Sequence, residues 1–335
     1  MKRQNFLRLI IYSIFLFISL MAIGFHSLAQ TRDTAVTTDQ KNQIEHKYGL
    51  DPASTLSSRV RETPAGVIKM FEEAGMSPRQ HQLSPAERLK VETAFASLPP
   101  LHQRVLKEHL RSISFLDNMP NTALTSIVNA DDAYRLYDIT FRAEVLRQNV
   151  SEWLTEKERT CFEAKGSSLS VSVEAGTLEA IVYILMHEAT HVVDGSLGLF
   201  AGSFSPQKLV DTAKSTFTTG VWTERTVFAP IYRNTLLDST HFRTRGKILP
   251  IDSAASVYQA LEHTPFVSLY STSSQHEDLA EYLSVYHFTQ KLNQPFQVII
   301  RDKGRKIFVF EPMKSKLSKS RIKYMSVFYS GSNPV

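Results

Sequence analysis

Cysteine is almost missing from this chain: Cys161 is the only one among 335 residues. An intrachain disulfide is therefore excluded, and the fold must be held by its apolar core. No glycine-rich loop follows a strand-like segment, which removes the phosphate-loop and dinucleotide-binding classes. Internal repeats and low-complexity tracts are also lacking, so solenoid and fibrous architectures are out. Nor does charge of one sign dominate. Lys and Arg number 38 against 33 Asp and Glu, a net +5, of which Lys2, Arg3 and Arg8 contribute three. The remaining +2 leaves no electrostatic footprint for nucleic acid, and no such partner is expected.

What is present suits a packed enzyme-sized chain, with 42% hydrophobic and 21% charged residues. The first 29 residues are the exception. Lys2, Arg3 and Arg8 flank an apolar run from Leu9 to Ile23, and Ser27-Leu28-Ala29 offers small residues before Gln30. This pattern predicts a secretory signal peptide over 1–29 and an exported, secreted or periplasmic protein. The alternative is an uncleaved anchor, the only route by which this chain would touch a membrane. Residues 30–62 are polar and predict a flexible linker.

The chemistry is concentrated at His187-Glu188-Ala189-Thr190-His191, which follows the apolar run Ile181–Met186. No Pro or Gly interrupts 178–194, so the segment predicts a buried helix from about 177 to 194, ending at Gly195. Histidines four apart share one helix face, with Cβ atoms about 5–6 Å apart. That spacing lets both grip one zinc ion, and Glu188 is then placed to act as a general base without being a ligand. Two core or capping histidines would be the bland alternative.

A catalytic zinc needs a third protein donor and an open position. A third histidine six residues after His191 is excluded, because Leu197 stands there. The remaining common donor is a carboxylate on a separate helix. His276–Phe288 supplies one, with Leu279, Tyr282, Leu283 and Tyr286 at helical spacing and Glu277 and Glu281 four apart on one face. Such an acidic pair is otherwise a solvated face. His276, next to Glu277, is a competing donor.

Together these segments resemble the gluzincin metallopeptidases, which pair His-Glu-x-x-His with a Glu-x-x-x-Asp/Glu helix. Within that group the likeness is to the catalytic domain of anthrax lethal factor and related secreted peptidases, where the motif continues as in His191-Val192-Val193-Asp194. The resemblance implies that His187, His191 and Glu277 bind Zn2+. It implies that Glu281 takes the other ring N–H of His187, with Asp194 also behind the ligands. It implies that Tyr270, seven residues before Glu277, stabilises an oxyanion, although ordinary packing is the alternative for this tyrosine. A peptide or protein substrate follows from the same likeness. His191 and Glu277 lie 86 positions apart, longer than in that relative, so an insertion separates them. A catalytically inactive zinc-binding module acting in adhesion or protein interaction is the other reading. The retained Glu188 separates the two, since a site that only held metal would not need an acid there.

The expected fold is α+β, a zincin-like domain over 63–335. Its antiparallel-rich sheet lies over the active-site helix, with a second ligand-bearing helix and a helical N-terminal part over about 63–111. Thr63-Pro64 opens a helix to about Glu73, and Ser84-Pro85-Ala86-Glu87 is a capping box. Strands are expected at 112–115, 124–128, 136–146 and 168–173, with a helix from Ser151 to about Phe162 capped by Ser151. A further helix is expected at 208–214, and a hairpin joins 297–301 to 306–310. Trp222 and Phe228–Tyr232 either line a cleft or pack. The basic tail around Lys314, Lys316, Lys319, Arg321 and Lys323 reads as a solvated face, with anionic lipid as the alternative.

Overall fold

Helix starts follow their caps. In a computed structural model, which describes residues 36–132, 134–200 and 217–330, α1 (Thr38–Tyr48) begins after Thr37 and a reciprocal capping box with Gln40. The segment expected as a linker is thus partly ordered, and it is tied down. Arg59 is buried and donates to the carbonyls of Leu106, Lys107 and Leu110 at the end of α4 (Pro100–His109). One guanidinium there satisfies carbonyls that a helix C-terminus leaves orphaned. Polar composition alone conceals such a role. Between these, α2 (Ala65–Glu73) follows Pro64, and α3 (Pro85–Ser97) starts at the Ser84–Glu87 capping box. The signal-like segment and the helix expected at 208–214 lie outside the described residues.

The first sheet has the order β1-β2-β4-β3, with β1 (Arg79–Gln80), β2 (Leu110–Asp117), β3 (Ala123–Ile127) and β4 (Tyr137–Arg142). It is mixed: its central strands β2 and β4 run parallel, while β1 and β3 pair antiparallel on either side of them. Both are buried along nearly their whole length, polar positions included. Those positions pair across the strands: Ser112 donates to Asp138 at 2.6 Å, and Ser114 and Thr140 share a hydrogen bond at 3.0 Å. The expected strand 136–146 stops at Arg142, and a 3-10 turn carries the chain on through Ala143–Arg147. β3 is antiparallel to β4 and forms the edge of the sheet. The second sheet is antiparallel, with β6 (Gln297–Asp302) between β5 (Leu169–Glu174) and β7 (Arg305–Phe310).

Helix α5 (Val150–Arg159) is capped by Asn149, not Ser151; Asn149 accepts from the Glu152 N–H at 2.9 Å. Ser151 instead donates to the Gly176 carbonyl. Helix α6 (Ala180–Leu197) is buried on nearly every side, as a helix apolar all round must be. It runs through Gly195, three residues past the expected stop, and ends at Gly198 in the left-handed conformation. Gly195 serves close approach instead: a Cβ there would stand 2.5 Å from the Tyr137 hydroxyl. Two further helices, α7 (Ala254–Glu262) and α8 (Gln275–Tyr286), complete the long ones among the described residues.

The basic tail is not uniformly solvated. Arg321 is buried and grips Asp278 of α8 through both nitrogens, 3.0 Å on one side and 2.5 Å on the other. Trp222 Nε1 donates to the same carboxylate at 2.8 Å, so Trp222 packs rather than lines a cleft. This clamp anchors the helix that carries Glu277. Removing one member strands a buried charge. Arg321→Met is therefore expected to cost about 3–5 kcal/mol in a urea unfolding series, and pairing it with Asp278→Asn to recover part of the loss.

Candidate metal centre

Glu277 enters the first turn of α8, where Ser274 accepts from its backbone N–H at 3.3 Å and caps the helix. The helix packs along α6, and their charged groups interlock like teeth. Glu281 meets His187, Glu277 meets both His187 and His191, and His276 meets Asp194. As numbers rise on α6 they fall on α8, so the two helices run antiparallel. Periodicity explains the alignment: 187, 191 and 194 recur on one helical face, as do 277 and 281.

Three donor atoms converge at the centre. His187 Nε2 and His191 Nε2 are 3.2 Å apart, and Glu277 Oε2 lies 3.0 Å from the first and 3.3 Å from the second. Bonds of 2.0–2.1 Å to a tetrahedral zinc place neighbouring donors about 3.3 Å apart, the size of this triangle. Among the described residues, these three form the group able to hold a metal ion.

Without a cation the cluster must share protons. Burial opposes charge on His187, but the hydrogen bonds and negative charges of Glu277 and Glu281 prevail and push its pKa up to about 10. His191 is raised for the same kind of reason, burial opposing and Glu277 prevailing. The Glu277 carboxyl is desolvated, yet the two imidazoles hold it well below the ordinary carboxylate range. Two nitrogens and a carboxylate this close repel unless a proton or a cation sits among them. The donor set fits a divalent ion.

Behind the ligands, Glu281 is buried and collects partners. Lys157 of α5 reaches its Oε1 at 2.9 Å, and Ser268 donates to its Oε2 at 2.7 Å. Its Oε1 also lies 3.1 Å from His187 Nδ1, though obliquely. Desolvation opposes this charge, and Lys157 and His187 together bring the Glu281 pKa down to about 2. The alternative of a solvated acidic face does not hold for Glu281, which is buried. Asp194 contacts His276 rather than a ligand histidine, and Phe200 packs on the His276 ring at 5.2 Å. His276 therefore stands outside the donor triangle.

Tyr270 lies in a 3-10 turn just before α8, its ring stacked on His187 at 5.8 Å with Lys157 Nζ 4.3 Å above it. Burial, then the charges of Glu277, Glu188 and Glu281, raises its pKa well above the ordinary phenol value, so it remains an O–H donor. Glu188 is not one of the triangle's donors; it accepts from Thr125 Oγ1 of β3 at 2.6 Å, and its charge acts on both His191 and Tyr270. Lys157, Ser268 and Thr125 carried no signal in the sequence. Each sits in an ordinary amphipathic or alternating segment, and only folding brings it here.

Two more histidines are buried outside the donor triangle. His102 shares a hydrogen bond with Thr190 at 3.1 Å, and His287 shares one with Tyr329 at 2.8 Å. Burial lowers their pKa values to about 3 and about 4, so both stay neutral in the fold. The unfolded chain takes up these protons near pH 6.5, and the folded chain refuses them until far lower. These two histidines should thus contribute a loss of stability as pH drops from 6.5 to 4.5 in metal-free protein, opposed by buried Glu158, whose pKa is raised to about 7 by burial. His187, raised to about 10, loses its contribution only as pH climbs above 6.5. Glu281 and Glu277 lose theirs only below about 4.5. Unfolding midpoints across this window should flatten in His102→Gln.

No family model, no curated protein and no solved structure matches this chain.

Proposed function

We propose that this chain is an exported zinc metallopeptidase with a zincin-like fold that hydrolyses peptide bonds of an extended peptide or protein. The reading rests above all on one observation: the paired imidazoles of α6 and Glu277 of α8 converge at tetrahedral spacing, while Glu188 lies outside the triangle with its own partner. Residues that merely packed together would not hold three donors so close at the cost of trapping protons.

His187, His191 and Glu277 would hold the ion, which supplies a Lewis acid that acidifies water and polarises a carbonyl. Glu188 takes the proton from the attacking water and delivers it to the leaving amine. Glu281, kept ionised by Lys157, sets its negative charge beside His187 Nδ1 at 3.1 Å, on the side of the ring away from the ion, leaving Nε2 free for the ion. Tyr270 donates its phenolic O–H to the oxyanion as charge builds there. β3, at the edge beside Glu188, has no strand partner on its outer side among the described residues, so an extended peptide can pair along it. Export follows from the positive start and apolar run of the N-terminal segment.

The test is metal content of purified protein together with hydrolysis of a peptide library, with and without a chelator. One zinc per chain and chelator-sensitive cleavage are expected. Stoichiometric zinc with no cleavage of any peptide would overturn the peptidase reading.

A further inference from the structure

Glu188 accepts a single hydrogen bond among the described residues, from Thr125 Oγ1 to its Oε2. Among those residues Oε1 has no hydrogen-bond partner. A general base needs this division: one oxygen fixed, the other open towards the water whose proton it takes. Thr125 is well placed to impose it. It pairs with Ile139 of β4 in the middle of β3, with paired residues before and after it along the strand. Side chains alternate along a strand. Leu124 packs with Phe71, Leu116 and Met119 on one face, while Ala123 joins the main core on the other, the face that Thr125 shares. The hydroxyl is therefore aimed at α6 by the pleat and not by a flexible chain.

Resting on the peptidase reading above, we propose that Thr125 is a positioning residue for Glu188. From the edge strand, it fixes the base by one carboxylate oxygen and ties its orientation to the strand along which a peptide would pair. An edge strand that frays or shifts would release the base. One that is paired on both sides would hold it.

The experiment compares wild type, Thr125→Val and Thr125→Ser on one cleaved peptide. Steady-state kinetics are paired with zinc affinity from chelator competition. Valine keeps the branched shape and removes the hydroxyl, while serine keeps the hydroxyl. Hydrogen bonds to charged groups carry roughly ten- to hundredfold effects, so kcat should fall by that factor in Thr125→Val. KM and zinc affinity should stay within about twofold, since the interaction acts on proton transfer and not on uniform binding. Thr125→Ser should recover most of kcat. Unchanged kcat in Thr125→Val overturns the proposal while leaving the peptidase reading intact. Parallel loss of kcat and zinc affinity, or failure of serine to rescue, shows a merely structural role and also overturns it. A wild type that binds zinc yet cleaves nothing removes the peptidase reading, and this proposal with it.

Discussion

Glu188→Gln should lower kcat for peptide hydrolysis by about 10²–10⁴-fold while leaving one zinc per chain. The amide is nearly isosteric with the carboxylate and cannot take a proton at neutral pH. Metal retention is expected because Glu188 is outside the triangle formed by His187, His191 and Glu277. Thr125 still has an oxygen to donate to in the variant, so the local fold should hold. Zinc analysis and steady-state rates on the same preparation decide the matter. Wild-type rates in the variant would remove Glu188 from the chemistry, and loss of zinc would make it a structural support of the ligands.

Glu277→Ala is expected to lose the metal itself. Outer partners of metal ligands typically contribute 10–100-fold to affinity, so removing a ligand should weaken zinc binding by more than about a hundredfold. The loss has a thermodynamic counterpart. A ligand that binds only the folded chain stabilises it by about 2.7 kcal/mol at a hundred times its Kd. Added zinc should therefore raise the wild-type melting temperature and leave Glu277→Ala unmoved. His187→Ala should behave the same way. Glu281→Gln should weaken binding less, since Glu281 touches His187 only through the far side of the ring. A Glu277→Ala variant that binds zinc as tightly as wild type would show that the third donor lies elsewhere.

Several corrections share a cause. Arg59 and Arg321 are cations in polar stretches, and both are buried because the fold presents each with oxygens to neutralise or satisfy it. Their partners come from distant parts of the chain, so no window around either residue could show them. Gly195 reads locally as a helix stop, yet the helix runs on to Leu197, and the Tyr137 hydroxyl, on another element, occupies the space that a side chain there would need. The parallel pairing of β2 and β4 is likewise invisible in short alternating segments, since serines and threonines that look solvent-facing are satisfied across the strands.

The paired histidines, the acid between them and the helix that carries them were determined by sequence alone. Their spacing is a local property, and the helical repeat of 3.6 residues converts it directly into a shared face. The same holds for the hairpin at 297–310 and the Ser84 capping box, both written in adjacent residues. Only the tertiary structure decided that Glu277 reaches those histidines across 86 and 90 positions, that Glu281 is buried beside Lys157, and that Thr125 holds Glu188. Contacts between distant segments depend on how whole elements pack, and the residues that make them carry no mark of it in their own neighbourhoods.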